Sequence, residues 1–231
     1  MELYQPENGY CYNSDSIFLY DFITRFNPKK DVLDVGAGCG ILGLLVARDF
    51  PNINISGVEK QEVLASYAKI NAQKNNIPYT LHVKDFLELD ENKKYDYIIS
   101  NPPFYHDGVQ KSSNEILFNA RYNINLPLDK FFKKVSRLLK PNSHFIFCYD
   151  ESQFGLICFE LEKVKLRVVD VRFVHPRIDK KASLVLLHVR NGSKSMMQVH
   201  PPLFAFDGKD FSDEAKNIYK KANTQSIKCK I

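Results

Sequence analysis

The chain has 231 residues, of which 44% are apolar and 26% are charged, a composition typical of globular rather than disordered proteins. Its net charge of +5 is unevenly placed, because residues 1–150 carry a net charge of −1 and residues 151–231 carry +6. The sequence therefore predicts one basic face, which is either a solvated surface or the binding surface for an anionic partner.

Several classes of protein are excluded at this stage. The longest apolar stretches, 41–47 and 182–189, are far shorter than a membrane span, and the first residues lack the pattern of a signal peptide. The five cysteines form no C-x-x-C pair and the six histidines form no H-E-x-x-H pattern, so no disulfide framework or metal site is indicated. We expect a cytoplasmic protein with reduced thiols, no bound metal and no membrane contact.

Short apolar runs alternate with helical patterns from residue 31 onward. In chain order the patterns predict a strand at 32–35, a helix at 41–50, a strand at 53–58, a helix at 61–75, strands at 79–83 and 95–100, a helix at 128–139, a strand at 145–149, and closing strands at 163–174 and 183–189. This alternation predicts an α/β fold with a doubly wound, mostly parallel sheet and helices on both faces.

The segments outside this alternation are the two ends of the chain. Ser14 or Asp15 is expected to cap a helix that contains the apolar run 17–26. From Lys216 onward there are five lysines and no acid, so this end is either a basic helix or a frayed tail. We expect a single domain over residues 1–231, with an N-terminal segment (1–30), a Rossmann-like core (31–190) and a basic C-terminal segment (191–231).

The first predicted strand is followed directly by a glycine-rich turn, Asp34–Gly40 (DVGAGCG). Such a turn lets the backbone approach a ligand closely beyond the carboxyl ends of parallel strands. Glu59 ends the second strand, where a carboxylate is suited to accept both hydroxyls of a ribose. Asp85 follows the third, where it is suited to accept from an adenine amine with Phe86 packed on the ring. Each acid alone is more often a surface residue, or a helix cap for Asp85, but three at consecutive strand ends favour a ligand site.

The fourth predicted strand ends in Asn101-Pro102-Pro103-Phe104. Asn-Pro is also a common start of an ordinary turn. Here the prolines lack N–H groups, Asn101 supplies an amide oxygen, and Phe104 supplies a flat apolar face. The motif therefore predicts a clamp for a planar group that carries an NH₂.

These segments together resemble class I S-adenosylmethionine-dependent methyltransferases of the amino-methylating branch, through DVGAGCG, Glu59, Asp85 and NPPF. Over nearly the whole chain the sequence is similar to the bacterial tRNA(Val) adenine-N6 methyltransferases, through GYCYNSDSIFLYDF (9–22), NPPFYHDGV (101–109), NARYNINL (119–126), HPRIDKKASLVLLHV (175–189) and DGKDFSDEAKNIY (207–219). The resemblance implies a seven-stranded Rossmann-like sheet whose last strand is antiparallel. Phe104 departs from the commonest form of the motif, which has tyrosine, so stacking is kept and any hydroxyl hydrogen bond is lost.

The resemblance implies transfer of a methyl group from S-adenosylmethionine to the N6 amine of an adenine in tRNA, the adenine just 3′ of the anticodon in tRNA(Val). Asn101 and Pro102 would each accept one amine N–H, and Phe104 would stack on the base, with Pro103 completing the catalytic motif. The implied cofactor-binding residues are Asp34, Gly36, Ala37, Gly38, Gly40, Glu59, Lys60, Asp85, Phe86 and Asn101.

The basic C-terminal third supplies most of the RNA-contacting candidates beside that pocket. These candidates are Tyr105, Arg121, Arg172, Arg177, Lys180 and Lys181. A solvated hairpin is the alternative for the last four, but phosphate contact is favoured next to a base pocket. Arg121 is equally suited to an acid partner, and His175 is expected to be structural. We expect tRNA as the partner and a monomeric protein.

Other functions share parts of this pattern. Glutamine methylation of a release factor uses a similar Asn-Pro-Pro-aromatic motif, but that family has a helical domain before the glycine turn, where about 30 residues stand here. Adenine methylation of rRNA or DNA uses the same clamp chemistry, although DNA enzymes generally add a target-recognition domain. A non-catalytic RNA-binding module is disfavoured by the presence of both the glycine turn and the clamp.

Overall fold

A computed structural model describes residues 1–7, 11–102 and 126–231. Helices and strands are numbered in chain order over these residues. The helices are α1 (Ser14–Thr24), α2 (Ile41–Asp49), α3 (Glu62–Lys74), α4 (Leu128–Leu138), α5 (Phe154–Lys163) and α6 (Asp213–Ala222). The strands are β1 (Glu2–Pro6), β2 (Asp31–Val35), β3 (Asn54–Glu59), β4 (Thr80–Val83), β5 (Tyr95–Ser100), β6 (Leu139–Tyr149), β7 (Leu166–His175), β8 (Leu184–Asn191), β9 (Gln198–Val199), β10 (Leu203–Phe204), β11 (Phe206–Asp207), β12 (Asp210–Phe211) and β13 (Gln225–Cys229).

The central sheet has the strand order β10-β7-β8-β6-β5-β2-β3-β4, with β9 also paired to β7. The pairs among β2 to β6 are parallel, and β8 is antiparallel to both of its neighbours. The predicted mostly parallel sheet with an antiparallel last strand is thus confirmed, and β9 and β10 extend it as two short strands beside β7.

One edge of this sheet collects the ends of most strands. Because β6 and β7 are both antiparallel to β8, they run in the same direction, so the carboxyl ends of β2 to β7 share one edge. The order reverses at β2, which lies between β3 and β5, and ligands of open α/β sheets bind at such a switch point. We call this edge the carboxyl edge.

Helices cover both faces of the sheet, and their burial follows from their apolar spacing. In α4 the buried side chains recur at the helical period, at Leu128, Phe131, Phe132, Val135 and Leu138. The central strands carry apolar residues on both faces, as in Phe145–Phe147 of β6, because both faces are covered. One continuous hydrophobic cluster joins side chains from Leu3 to Ala222.

Some local predictions differ from the structure, and one alternative that the sequence left open, a basic helix or a frayed tail, is decided in favour of the helix. The cap of α1 is Asn13, whose side chain accepts from Asp15 N, rather than Ser14 or Asp15. Lys163 ends α5, an unpredicted helix, so β7 begins three residues later than expected. The lysine-rich end is ordered as α6, capped by Ser212 and ended by Asn223 in a left-handed conformation. It continues into β13, which pairs in parallel with the equally unpredicted β1.

Candidate active site

The glycine turn lies at the carboxyl edge, between β2 and α2. Gly36, Gly38 and Gly40 all have positive φ, at 69°, 56° and 87°, which side chains with a Cβ rarely adopt. Gly36 N and Ala37 N both donate to the carbonyl of Val58 at the end of β3 (2.9 and 3.1 Å). No atom lies within 4 Å of where a Gly36 Cβ would stand, so the turn presents its backbone to open space.

Asp34 lies under this turn and holds the start of α2. Its side chain is 1% exposed, and its Oδ2 accepts from Gly43 N at 2.9 Å and from the Tyr79 hydroxyl at 3.3 Å. Burial raises the pKa of Asp34 to about 7, against the lowering effect of those two hydrogen bonds. The negative charge of Glu59 raises the pKa further.

Glu59 braces the same turn from the end of β3. Its Oε2 accepts from Gly38 N at 2.9 Å and its Oε1 from Gln61 N at 2.8 Å, and the residue is 7% exposed. Burial raises the pKa of Glu59, and the backbone hydrogen bonds oppose that rise. Each carboxylate oxygen keeps further acceptor capacity, which a pair of hydroxyls is suited to use.

Lys60, Asp85 and Phe86 lie farther along the carboxyl edge. Lys60 Nζ is 3.0 Å from Asp85 Oδ2, and Asp85 Oδ1 caps the short 3-10 helix Phe86–Glu88 by accepting from Leu87 N. The Phe86 ring is 6% exposed and packs edge-on against Phe131 with centroids 5.6 Å apart. The expectation that Phe86 offers a free face to an adenine is therefore corrected, since its ring belongs to the core.

Asn101 follows β5 and has both ends of its amide occupied. Its Nδ2 donates to Ser16 Oγ at 2.9 Å, and its Oδ1 accepts from Cys148 Sγ at 3.0 Å. Ser16 is 2% exposed and Cys148 is fully buried. Burial raises the pKa of the Cys148 thiol well above its usual value, so this group is a neutral donor. Pro102 is buried beside Asn101.

A single cavity brings the glycine turn and Asn101 together. The residues that line it are Tyr12, Ser16, Asp34, Gly36, Ala37, Gly38, Cys39, Ile41, Leu42 and Asn101. The two sites predicted separately from the sequence are thus walls of one pocket. That lining does not include Glu59, Lys60 or Asp85, which lie at or just after the ends of the neighbouring strands β3 and β4.

Five lining residues were not predicted from the sequence as site residues: Tyr12, Ser16, Cys39, Ile41 and Leu42. Ile41 and Leu42 are the first two residues of α2. Ser16 stands in a Ser-Asp-Ser segment that was interpreted only as a helix cap, and Tyr12 precedes it. Cys39 lies inside the predicted glycine turn but was not singled out. Pro103, Phe104, Tyr105 and Arg121 lie outside the described residues.

The four basic candidates on or near β7 and β8 separate into two kinds. Arg172 is 4% exposed, with Nε donating to the Pro201 carbonyl at 2.9 Å and Nη2 paired to Glu214 at 2.7 Å. Its assignment to phosphate contact is therefore corrected, because it ties β7 to α6 inside the protein.

Arg177, Lys180 and Lys181 are exposed in the turn that follows β7. Lys180 N donates to the Arg177 carbonyl at 3.1 Å, and the His175 ring contacts the Lys180 carbonyl at 2.8 Å, so the turn is fixed. Because β7 ends at the carboxyl edge, the three cations stand on the same side of the sheet as the pocket.

The central sheet has the class I S-adenosylmethionine-dependent methyltransferase fold, as predicted, with a pocket at its switch point. Residues 14–125 match the family model described as the methyltransferase small domain. Among solved structures, a predicted O-methyltransferase from Agrobacterium tumefaciens aligns with 93% of this chain and all of its own, at a TM-score of 0.68 and 14% identity. A Thermus thermophilus 16S rRNA N2 G1207 methyltransferase, solved with AdoMet and guanosine, aligns with 80% of this chain and 44% of its own, at a TM-score of 0.57 and 20% identity.

Curated relatives carry a more particular name. The chain is 33% identical over 122 residues to a tRNA1(Val) (adenine(37)-N6)-methyltransferase from Aliivibrio fischeri, with 51% of each chain covered. It is 34% identical over 117 residues to a protein of the same name from Bacteroides thetaiotaomicron, with 49% of each covered. The alignments thus span about half the length of these relatives. The resemblance to that family is confirmed over about half of the chain, and its extension to nearly the whole chain stays a prediction.

The described residues contain neither a metal-binding cluster nor a membrane-spanning helix. No group of three or more His, Cys, Asp and Glu side chains within 1–7, 11–102 and 126–231 is placed to hold a metal ion. In the same ranges no helix is long and apolar enough to cross a membrane.

Proposed function

We propose that the chain transfers a methyl group from S-adenosylmethionine to the N6 amine of an adenine in tRNA, the adenine 3′ of the anticodon in tRNA(Val). The new bond joins the methyl carbon to N6 while the bond from that carbon to sulfur breaks. S-adenosylhomocysteine leaves with the electron pair of the broken bond, and N6 gives one proton to solvent.

The observation that carries this proposal is the position of Asn101. Its amide lies in the wall of the pocket formed by the glycine turn, and its orientation is fixed by Ser16 and Cys148. An acceptor oxygen held beside a cofactor turn suits a substrate amine, since an amine must present N–H groups to be oriented. The curated relatives named as tRNA adenine-N6 methyltransferases support the same substrate.

Catalysis in this pocket rests mainly on positioning. Bound S-adenosylmethionine supplies an electrophilic methyl group. Asn101 Oδ1 and the Pro102 carbonyl would each accept one N6–H, which favours a pyramidal nitrogen with its lone pair free. Phe104, next along the sequence after Pro103, would stack on the base for about 1–3 kcal/mol. The target base must leave its stack to enter.

The cofactor-binding residues are assigned from their positions at the carboxyl edge. The turn formed by Gly36, Ala37, Gly38 and Gly40, which is open at Gly36 and has Asp34 beneath it, fits the methionine part. Glu59 fits the ribose because its carboxylate already meets the turn at Gly38, and Asp85, with Lys60, fits the adenine.

The exposed turn that carries Arg177, Lys180 and Lys181 would meet tRNA phosphates, and Tyr105 and Arg121 stay RNA-contact candidates on sequence grounds. We further propose one domain that acts as a monomer in the cytoplasm, where tRNA is found.

The test is incubation of the purified chain with methyl-labelled S-adenosylmethionine and, in parallel, total tRNA, rRNA, DNA and cell protein, followed by nucleoside and amino-acid analysis. We expect N6-methyladenosine in tRNA, and its loss in Asn101→Ala. Lys165→Ala is a matched control, since Lys165 is exposed between α5 and β7. Label in rRNA or DNA adenine, label in protein glutamine, or no label at all would overturn the proposal.

A further inference from the structure

Strands β1 and β13 form a small parallel sheet of their own, apart from the central sheet. The register places Tyr4 beside Ile227 and Gln5 beside Lys228. A two-stranded sheet alone is marginally stable in water, so this one depends on what it packs against. We call it the β1–β13 pair.

The support for the β1–β13 pair comes from α3 and the glycine turn. Tyr4 of β1 and Cys229 of β13 pack on a cluster made of Cys39, Leu64 and Tyr67. The Tyr67 hydroxyl donates to the Cys229 carbonyl at 2.6 Å. Cys39 belongs to the glycine turn and lines the pocket, so the β1–β13 pair contacts a residue of the pocket wall.

Asn71 of α3 joins the pair to the turn by hydrogen bonds. It is fully buried, and its Nδ2 donates to the carbonyls of Cys39 (2.8 Å) and Tyr4 (2.9 Å), while its Oδ1 accepts from Tyr4 N (2.7 Å). The amide thus bonds β1 as a neighbouring strand would and holds the carbonyl of one turn residue at the same time.

A second set of hydrogen bonds joins the pair to Tyr12, another residue that lines the pocket. Gln5 of β1 is 1% exposed, and its Oε1 accepts from Tyr12 N at 2.8 Å while its Nε2 donates to Ser226 Oγ of β13 at 2.5 Å. The Tyr12 hydroxyl donates to Thr224 Oγ1 at 3.1 Å. Tyr12 lines the pocket with Asp34 and Asn101.

We infer that the β1–β13 pair is a working part of the cofactor site, positioning Cys39 of the turn through Asn71 and Tyr12 through Gln5. This rests on the cofactor site proposed above. Cofactor affinity then depends on two strands from opposite ends of the sequence, and, since coupling between two sites is reciprocal, the bound cofactor stabilises the pair in return.

The test compares three variants of the full chain for binding of S-adenosylhomocysteine by calorimetry. Tyr67→Phe removes only the hydroxyl that binds Cys229, and Asn71→Asp keeps the acceptor for Tyr4 N but loses both donors. Tyr97→Phe is the matched control, because its hydroxyl also donates to a carbonyl, that of Phe26 at 3.1 Å, away from the pocket lining. We expect dissociation constants raised at least fivefold by Tyr67→Phe, at least tenfold by Asn71→Asp, and less than twofold by Tyr97→Phe.

Hydrogen exchange gives a second readout in the unaltered protein. We expect S-adenosylhomocysteine to slow exchange of the β1 and β13 amides at least tenfold. Unchanged exchange there, or affinities equal across the wild type, Tyr67→Phe and Tyr97→Phe, would overturn the inference while the cofactor site stands. If Asn71→Asp does not fold, Tyr67→Phe and the exchange data decide. A wild-type chain that binds no S-adenosylhomocysteine would instead refute the proposed cofactor site itself.

Discussion

The amide of Asn101 is oriented by two buried neighbours, Ser16 on α1 and Cys148 on β6. Ser16 Oγ accepts a hydrogen bond from Nδ2, and the Cys148 thiol donates its S–H to Oδ1. A carbonyl oxygen has two lone pairs, so Oδ1 can still accept from a substrate amine. The fixed amide plane then decides which way that acceptor faces.

Loss of either neighbour should slow methyl transfer without weakening the binding of the cofactor. We expect Ser16→Ala and Cys148→Ala each to lower kcat about five- to tenfold, because one hydrogen bond contributes about 1 kcal/mol. Cys148→Ser keeps a donor and should retain most of the rate. Steady-state kinetics with tRNA measure this, and a Cys148→Ala enzyme as fast as the wild type would remove Cys148 from the role.

Because of Asp34, the free energy of unfolding should fall as pH rises. Its folded pKa of about 7 lies above the ordinary value of 3.8. Between these two pH values the folded state therefore keeps a proton that the unfolded state has lost. The stability this gives is full below pH 4 and is lost as pH rises through 7. From pH 5 to pH 8 we expect the wild type to lose about 2–3 kcal/mol relative to Asp34→Asn.

Urea unfolding of both proteins at the two pH values measures that difference. Asp34→Asn is the suitable partner because its amide oxygen can still accept from Gly43 N. Parallel pH profiles for the two proteins would show that Asp34 ionises at its ordinary pKa in the fold.

Individual site residues could be predicted from the sequence where they lie at the carboxyl ends of predicted strands. Asp34, Glu59 and Asn101 could be placed because parallel strands put their carboxyl ends together. Ser16 and Cys148 could not, since they stand 85 and 47 residues from Asn101 and carry no motif. Burial of Phe86 and Arg172 depends on Phe131 and Glu214, which local sequence does not reveal.

Among the elements, β3 and α2 meet closely because each has a glycine facing Tyr79. A Cβ at Gly57 of β3 would overlap the Tyr79 hydroxyl, and one at Gly43 of α2 would lie 2.8 Å from Asp34 Oδ2. The small residues therefore let the Tyr79 ring pass between the strand and the helix to reach Asp34. This packing connects the glycine turn to the core.

Gly57→Ala should destabilise the protein by about 1–3 kcal/mol through overpacking. Gly155→Ala is the matched control, since no atom lies within 4 Å of a Cβ there and Gly155 is in α5, where alanine should stabilise by up to about 1 kcal/mol. Thermal unfolding of both variants measures the contrast. Equal melting temperatures for Gly57→Ala and the wild type would show that the Tyr79 side chain moves aside without loss of stability.

The elements that sequence patterns predicted are the buried ones. Strands β2, β3, β5 and β6 have apolar runs because both faces of the sheet are covered. In contrast, β1 (ELYQP) mixes polar and apolar residues, and β13 (QSIKC) is mostly polar because it packs on one side only. No periodic signal marks such a pair, which forms through tertiary contacts with α3.

In the whole molecule, the near-neutral residues 1–150 form the pocket, and a basic turn from the C-terminal third lies at the same edge of the sheet. The exposed turn with Arg177, Lys180 and Lys181 lies at the carboxyl edge, while Arg172, equally basic in sequence, is internal. Net charge therefore predicted a basic region but not which cations reach solvent.

The double variant Lys180→Glu/Lys181→Glu should weaken tRNA binding and flatten its dependence on salt. We expect the slope of log K against log salt to fall in magnitude by about 1–2, since each phosphate contact contributes somewhat less than 1. Arg172→Ala is the control and should leave the slope unchanged while lowering stability by about 1–3 kcal/mol. A slope unaltered by the double variant would remove this turn from the RNA surface.

Transfer to an adenine amine is tested most directly by nucleoside mass spectrometry of purified tRNA(Val) after incubation with the chain and S-adenosylmethionine. We expect one N6-methyladenosine per tRNA at the position 3′ of the anticodon, and none with Asn101→Ala. Unmodified tRNA(Val) with the wild-type chain, under conditions where it binds S-adenosylhomocysteine, would contradict the proposed reaction.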